Sequence, residues 1–293
     1  MDSNQAYTLG LYEKAMPPGL SFVEMLQLTA RTGFDRLEIS IDETDQRLAR
    51  LDWSPRERRE LLLNIADTNV AIKTLCLSGH RRFPLGSHDL AIRDRSLDIL
   101  KKAVNFAAEF GIAIIQLAGY DVYYEDHDEI TTAFFEENLL KSVHYAASYG
   151  VVLAFETMET AFMDTVRKAM HYVGLVNSPY LGVYPDIGNL KNASVLYGHD
   201  LREDIQAGAG HTFAAHLKET VPGVFRDLDF GTGHTPYNDC IDVLWKMGVR
   251  LYTAEFWYDG KPDHEARIAH ANGFIREQFS RVFRSYEMNL PQL

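Results

Sequence analysis

The chain has 293 residues, and its 29 Lys+Arg against 41 Asp+Glu leave a formal net charge of −12, which argues against a nucleic-acid-binding surface. Hydrophobic residues at 46% and charged residues at 24% are ordinary for a globular chain and exclude disordered, collagen-like and low-complexity architectures. The stretch Met1 to Tyr7 is short and polar with no apolar targeting core, and no apolar run approaches the ~18 residues needed to span a bilayer, so a cytoplasmic protein without a membrane partner is expected. Cys76 and Cys240 are too few and too far apart for a disulfide framework or a CxxC metal site, and both read as reduced structural residues.

In chain order, short apolar segments rich in β-branched or aromatic residues alternate with longer segments of helical period. The predicted strands are Tyr7–Tyr12, Arg36–Ile41, Ala71–Leu77, Ile114–Ala118, Val151–Thr157, Leu181–Asp186, Phe213–Lys218 and Leu251–Phe256. Their starts lie about 30 to 40 residues apart, one strand–helix unit each. Ser21 with Glu24 three residues on is a capping box that opens the first helix, and Gly33 closes it. Ser54-Pro55 starts the next helix, and Phe134–Ala147 keeps its apolar residues on one face. Gly111, Gly150 and Gly248 each fall between a helix and the following strand, where a turn is required. No Pro/Gly/Ser-rich linker divides the chain, so residues 1–293 are expected to form one α/β domain, a single (β/α)8 TIM barrel. An open doubly wound sheet has the same alternation, but no GxGxxG or P-loop accompanies it.

A barrel of this kind carries its site at the C-terminal ends of its strands. Four later strands each end in a candidate metal ligand: Glu156 on the fifth, Asp186 on the sixth, His216 on the seventh and Glu255 on the eighth. Charges in otherwise apolar strands are costly unless they are paired or hold a cation, and a divalent ion would neutralise the clustered carboxylates. Salt bridges lining the barrel mouth are the competing explanation. Oxygen ligands with one imidazole suit Mn²⁺, Mg²⁺ or Zn²⁺ in an open catalytic site. Glu38, Glu159 and Asn189 occupy similar positions at strand ends, and Tyr120, Tyr123 and Tyr124 either wall a substrate or simply pack.

The runs Leu75-Cys-Leu-Ser-Gly-His80-Arg81-Arg82-Phe-Pro-Leu-Gly-Ser87, Gln116-Leu-Ala-Gly-Tyr-Asp-Val-Tyr-Tyr124 and Tyr184-Pro-Asp-Ile-Gly-Asn189 resemble the L-ribulose-5-phosphate (L-xylulose-5-phosphate) 3-epimerases. The similarity continues through Ile205-Gln-Ala-Gly208 and His216-Leu-Lys-Glu-Thr-Val-Pro-Gly-Val-Phe225 to Ala254-Glu-Phe-Trp257, and so spans nearly the whole chain. The parent group is similar to xylose isomerases.

The resemblance implies Glu156, Asp186, His216 and Glu255 as ligands of a divalent ion, Zn²⁺ or Mn²⁺, with Glu156 and Glu255 also the catalytic acid/base pair. It implies a small phosphorylated ketose as substrate, a place in pentose-phosphate and L-ascorbate catabolism, and it allows a homo-oligomer such as a dimer. Epimerisation beside a ketone removes a proton, forms an enediolate and returns a proton to the opposite face, which two carboxylates and a Lewis acid accomplish. Candidate substrate contacts are His80, Arg81, Arg82, Asn189, Lys218 and Arg226, with arginine suited to phosphate. Two departures from the family's habit, Glu219 in place of Asp and His234 in place of an acidic residue, are expected to touch substrate contacts and not the metal. An aldose–ketose isomerase would use the same groups between C1 and C2. An abasic-site endonuclease would want a basic face and more histidine ligands. A sugar-binding barrel that has lost catalysis is opposed by the intact Glu156/Glu255 pair.

Overall fold

A computed structural model describes residues 7–288, so Met1 to Ala6 of the polar N-terminal stretch lie outside the described residues. Eight parallel strands are laid down in chain order: β1 (Thr8–Tyr12), β2 (Arg36–Ser40), β3 (Ala71–Leu77), β4 (Ile114–Ala118), β5 (Val152–Glu156), β6 (Leu181–Tyr184), β7 (Ala215–Leu217) and β8 (Leu251–Ala254). Each pairs with its sequence neighbour and β1 pairs with β8, while β6 and β7 meet through the parallel bridges Val183–Thr212 and Asp186–His216. The result is a nearly closed (β/α)8 barrel, as the alternation predicted.

Between the strands lie α1 (Phe22–Arg31), α2 (Asp45–Leu48), α3 (Pro55–Thr68), α4 (Leu90–Phe110), α5 (Glu129–Ser148), α6 (Val166–Val176), α7 (Ile187–Tyr197), α8 (Leu201–Gln206), α9 (Tyr237–Lys246) and α10 (His264–Met288). The expected start signals operate: Ser21 and Glu24 form a reciprocal capping box on α1, and Ser54 and Glu57 form another on α3 with Pro55 in its first turn. Gly111 closes α4 at φ 68°, a conformation that costs other residues strain. The short α2 and α8 have no counterpart among the predicted elements.

Most of the apolar core lies between the sheet and its helices, whereas the barrel interior is largely polar. Its apolar lining is small, with Ile114, Ala154, Tyr184 and Ala214 as the buried members. Arg36 fills the floor, fully buried, donating to Thr74 Oγ1 at 2.7 Å and to Tyr252 O and Thr253 Oγ1 at 2.9 Å. Gly10 makes room for it, because a Cβ there would stand 2.7 Å from the guanidinium. Leu37 pairs with Ile72 but Glu38 pairs with Thr74, so a bulge on β3 keeps Thr74 and Cys76 in step with Glu38 and Ser40.

Candidate active site

β2, β5, β6, β7 and β8 each end one or two residues before their predicted C-terminal limits, and at the last four this shapes the site. Pro185 has no N–H to extend β6, so Asp186 falls past the strand and becomes the N-cap of α7, accepting the backbone N–H of Asn189 at 2.7 Å. Glu255 lies one residue past β8, while Glu156 is the last residue of β5 and His216 sits within β7. The four side chains converge, with one ligand atom from each lying within 4.8 Å of all the others, and all four residues are buried.

His216 is the hub. Its Nδ1 lies 3.3 Å from Glu156 Oε1, 3.4 Å from Glu255 Oε2 and 4.0 Å from Asp186 Oδ2. On its far side Nε2 is 2.6 Å from Glu38 Oε1, and the amide of Gln116 packs 3.2 Å from Nδ1. Lys218 Nζ reaches 3.0 Å from Asp186 Oδ2 and 3.3 Å from Glu255 Oε2. Neither of those buried carboxylate oxygens accepts a well-aligned hydrogen bond.

Concentrated charge perturbs every titration here. Burial and the charge of Glu255 raise the Glu156 pKa. Burial raises that of Asp186 well above the usual carboxylate range despite Lys218. Burial would do the same to Glu255, but Lys218 and His216 outweigh it and hold that carboxyl well below its ordinary value. Burial alone would lower the pKa of His216, yet the surrounding carboxylates, Glu38 foremost, raise it well above the usual imidazole range.

The donor set fits a divalent ion. Ligands about 2.0–2.2 Å from a common centre lie roughly 3–4.4 Å apart, close to the span of these four atoms. The imperfectly satisfied oxygens of Asp186 and Glu255 are the ones an ion would engage.

Above the cluster lies a cleft walled in part by Tyr12, Lys14, Arg81, Lys218, Arg226 and Trp257. Trp257 carries Arg226 on its face at 5.0 Å, and Arg226 is 3.5 Å from Glu159 across the mouth. Arg81 stacks over Tyr123 at 4.6 Å; its nearest ion-pair partner, Glu43, is 4.0 Å away, and its buried Nε has no hydrogen-bond partner.

The six expected substrate contacts separate in space. Arg81, Asn189, Lys218 and Arg226 line the cleft. His80 is buried behind it with Nε2 3.3 Å from the carbonyl of Ser96 in α4, and burial drives its pKa down to about 4. Arg82 is half-exposed and paired with Asp45 at 2.8 Å. Asn189 has a buried Oδ1 without a partner, while its Nδ2 donates to Thr157 O at 2.8 Å. Glu219 accepts the N–H groups of Gly231 at 2.8 Å, Thr235 at 3.1 Å and Thr220 at 3.2 Å, which makes it a clamp on the loop before α9 and not a cleft residue. His234 hydrogen-bonds with Thr220 Oγ1 at 3.2 Å in the same loop. Sequence reasoning missed Tyr12, Lys14 and Trp257 as walls, although each stands just at or past the end of β1 or β8, where a signal was available.

Comparison with known proteins places this geometry. The family model of the xylose isomerase-like TIM barrel matches residues 26–278. The L-ribulose-5-phosphate 3-epimerase UlaE of Escherichia coli strain SMS-3-5 is 42% identical over 275 residues, covering 94% of this chain and 95% of the relative, and the enzyme of the same name from Escherichia fergusonii matches to the same extent. A solved L-ribulose 3-epimerase superposes with TM-score 0.77 at 17% identity, covering 98% of this chain and 99% of its own. A D-tagatose 3-epimerase-like protein gives TM-score 0.78 at 15% identity, covering 95% and 99%.

Proposed function

The chain belongs to the xylose isomerase-like TIM-barrel family, and we propose that it is an L-ribulose-5-phosphate 3-epimerase, inverting C3 of a pentulose 5-phosphate to interconvert the L-ribulo and L-xylulo sugars. The observation that carries this reading is near-full-length similarity to enzymes of that name, in a chain whose Glu156, Asp186, His216 and Glu255 meet at the barrel mouth.

Those four residues would hold a divalent ion, Zn²⁺ or Mn²⁺. When bound, the ion supplies Lewis-acid stabilisation to negative charge developing on the sugar oxygens. Glu156 and Glu255 approach the cluster from strands three apart around the ring, so a ketose lying over it is flanked by a carboxylate on each face. One takes the C3 proton as general base, leaving an enediolate, and the other returns a proton to the opposite face. Lys218, held by Asp186 and Glu255 on the cleft floor, stands ready to donate to a sugar oxygen.

The 5-phosphate belongs toward Arg81 and Arg226, the cleft guanidiniums. Arg81 has its nearest ion-pair partner among the described residues, Glu43, 4.0 Å away.

Proton NMR of the protein with L-xylulose 5-phosphate in deuterated water tests the assignment. Appearance of L-ribulose 5-phosphate carrying one deuterium at C3 is the expected result. An aldose 5-phosphate labelled at C2 would instead make the enzyme an aldose–ketose isomerase. No helix among the described residues is long and apolar enough to cross a membrane.

A further inference from the structure

Beneath the ligand cluster a column of charge runs down the barrel axis that the proposed reaction does not use. Glu38 is fully buried and lies 178 residues before His216 in the chain, yet its Oε1 meets His216 Nε2 at 2.6 Å. Its other oxygen accepts from Tyr184 Oη at 2.7 Å and Thr253 Oγ1 at 3.2 Å. Thr253 is in turn held by Arg36 Nη2 at 2.9 Å, on the barrel floor.

A buried carboxylate is expensive, and a close-packed apolar layer is the usual filling of such a barrel and often the more stable one. Here Arg36, Tyr184 and Thr253 are all committed to keeping one carboxylate in place under one imidazole. An imidazole has two nitrogens with different fates, and a ligand histidine presents one lone pair while its other N–H donates to a fixed acceptor.

We propose that Glu38 is the positioning residue of the metal site: by accepting the Nε2–H of His216 it fixes the ring's orientation and aims the Nδ1 lone pair at the point enclosed by Glu156, Asp186 and Glu255. The geometry supports this from both sides of the ring, since Nδ1 faces all three carboxylates and Nε2 faces Glu38 alone among the described acidic residues. Tyr184 and Thr253 bind the oxygen of Glu38 that His216 leaves free, and Tyr184 also sets its ring edge-on against the imidazole at 4.8 Å, a contact that Tyr184→Phe keeps.

The inference rests on the metal reading above, and the test separates the two. Full-length apo-protein is titrated with Mn²⁺, free ion being read by electron paramagnetic resonance, for wild type, Glu38→Gln and Tyr184→Phe. Glu38→Gln should weaken Mn²⁺ binding by about 10- to 100-fold, the scale for losing an outer partner of a ligand histidine, and Tyr184→Phe by less than about threefold. A Glu38→Gln protein that melts earlier but binds Mn²⁺ like wild type would overturn the proposal, because Glu38 would then serve stability alone. Absence of Mn²⁺ and Zn²⁺ binding by wild type would overturn the metal reading itself and the positioning role with it. If Glu38→Gln does not fold, ¹⁵N-histidine spectra of zinc-loaded wild type decide the matter. Protonated Nε2 with metal-bound Nδ1 at His216 is the expected signature, and the opposite assignment refutes the proposal.

Discussion

The two halves of the barrel wall divide the work. β5 to β8 deliver Glu156, Asp186, His216 and Glu255, each at or near a strand's C-terminal end, whereas β1 to β4 contribute none of the four. The first half supplies what surrounds them: Tyr12 and Cys76 on the cleft, Gln116 and Glu38 around the imidazole, and Arg81 on the loop after β3. The four clustered side chains thus sit on one wall together with Lys218 and Arg226, while Glu38 and Gln116, which flank the imidazole, and Arg81 come from the other. Pre-orientation by partners that do not themselves react is the general requirement of a precise site.

The division is open to attack from its largest consequence downward. Removing the ion should strike the second half first: exhaustive chelation should abolish epimerisation and lower Tm, as three carboxylates are left facing one another, with a stability loss of about 3–4 kcal/mol if the ion had stood at a hundred to a thousand times its Kd. Full activity after chelation and dialysis would contradict the account. Within the first half, Arg81→Ala should raise KM for the phosphorylated ketose by about 10- to 100-fold and leave the unphosphorylated ketose nearly unaffected, the scale of a charge-assisted phosphate contact. Arg82→Ala, whose guanidinium pairs with Asp45 outside the cleft, should change either KM less than about twofold. Equal losses for Arg81→Ala on both ketoses would place the phosphate elsewhere.

A smaller effect probes the support beneath Arg81. His80 stays neutral in the folded chain because burial lowers its pKa to about 4. The unfolded chain takes up that proton near pH 6.5, before the folded one does, so stability is lost as pH falls from about 6.5 toward 4. Denaturant melts of wild type and His80→Asn at pH 7 and pH 5 should show wild type losing about 2 kcal/mol more than the variant over that interval. Identical losses would remove His80 as the cause.

Periodicity and caps suffice for the barrel, because apolar strand and helical period alternate along the chain and several helices carry clear end signals, as at Ser21, Ser54 and Gly111. The four candidate ligands stand out because each is a polar group in or beside an apolar strand. What lies beyond that reading is three-dimensional. Glu38 and His216 are 178 residues apart, so no local spacing announces their contact. His80 and Arg81 end one 3₁₀ turn and Arg82 caps it; successive residues of such a turn point about 120° apart, and sequence alone does not say which of the three faces the cleft. Glu219 looked like a substrate residue from its place after His216-Leu-Lys, yet it is spent on backbone N–H groups of a loop more than ten residues further on. Asp186 falls outside the strand predicted to contain it because Pro185 ends the ladder one residue earlier.

The central claim is that Glu156 and Glu255 each serve one face of C3, and exchange in deuterated water with the two variants Glu156→Gln and Glu255→Gln tests it most directly. Glutamine keeps the size and one ligand oxygen but accepts no proton. Each variant should epimerise about 10²-fold or more slowly than wild type, the scale for losing a general acid or base, while still washing deuterium into C3 of one epimer, and the two variants should label opposite epimers. If either variant epimerised at the wild-type rate with its metal still bound, that carboxylate would be a ligand only and the two-base account would be wrong.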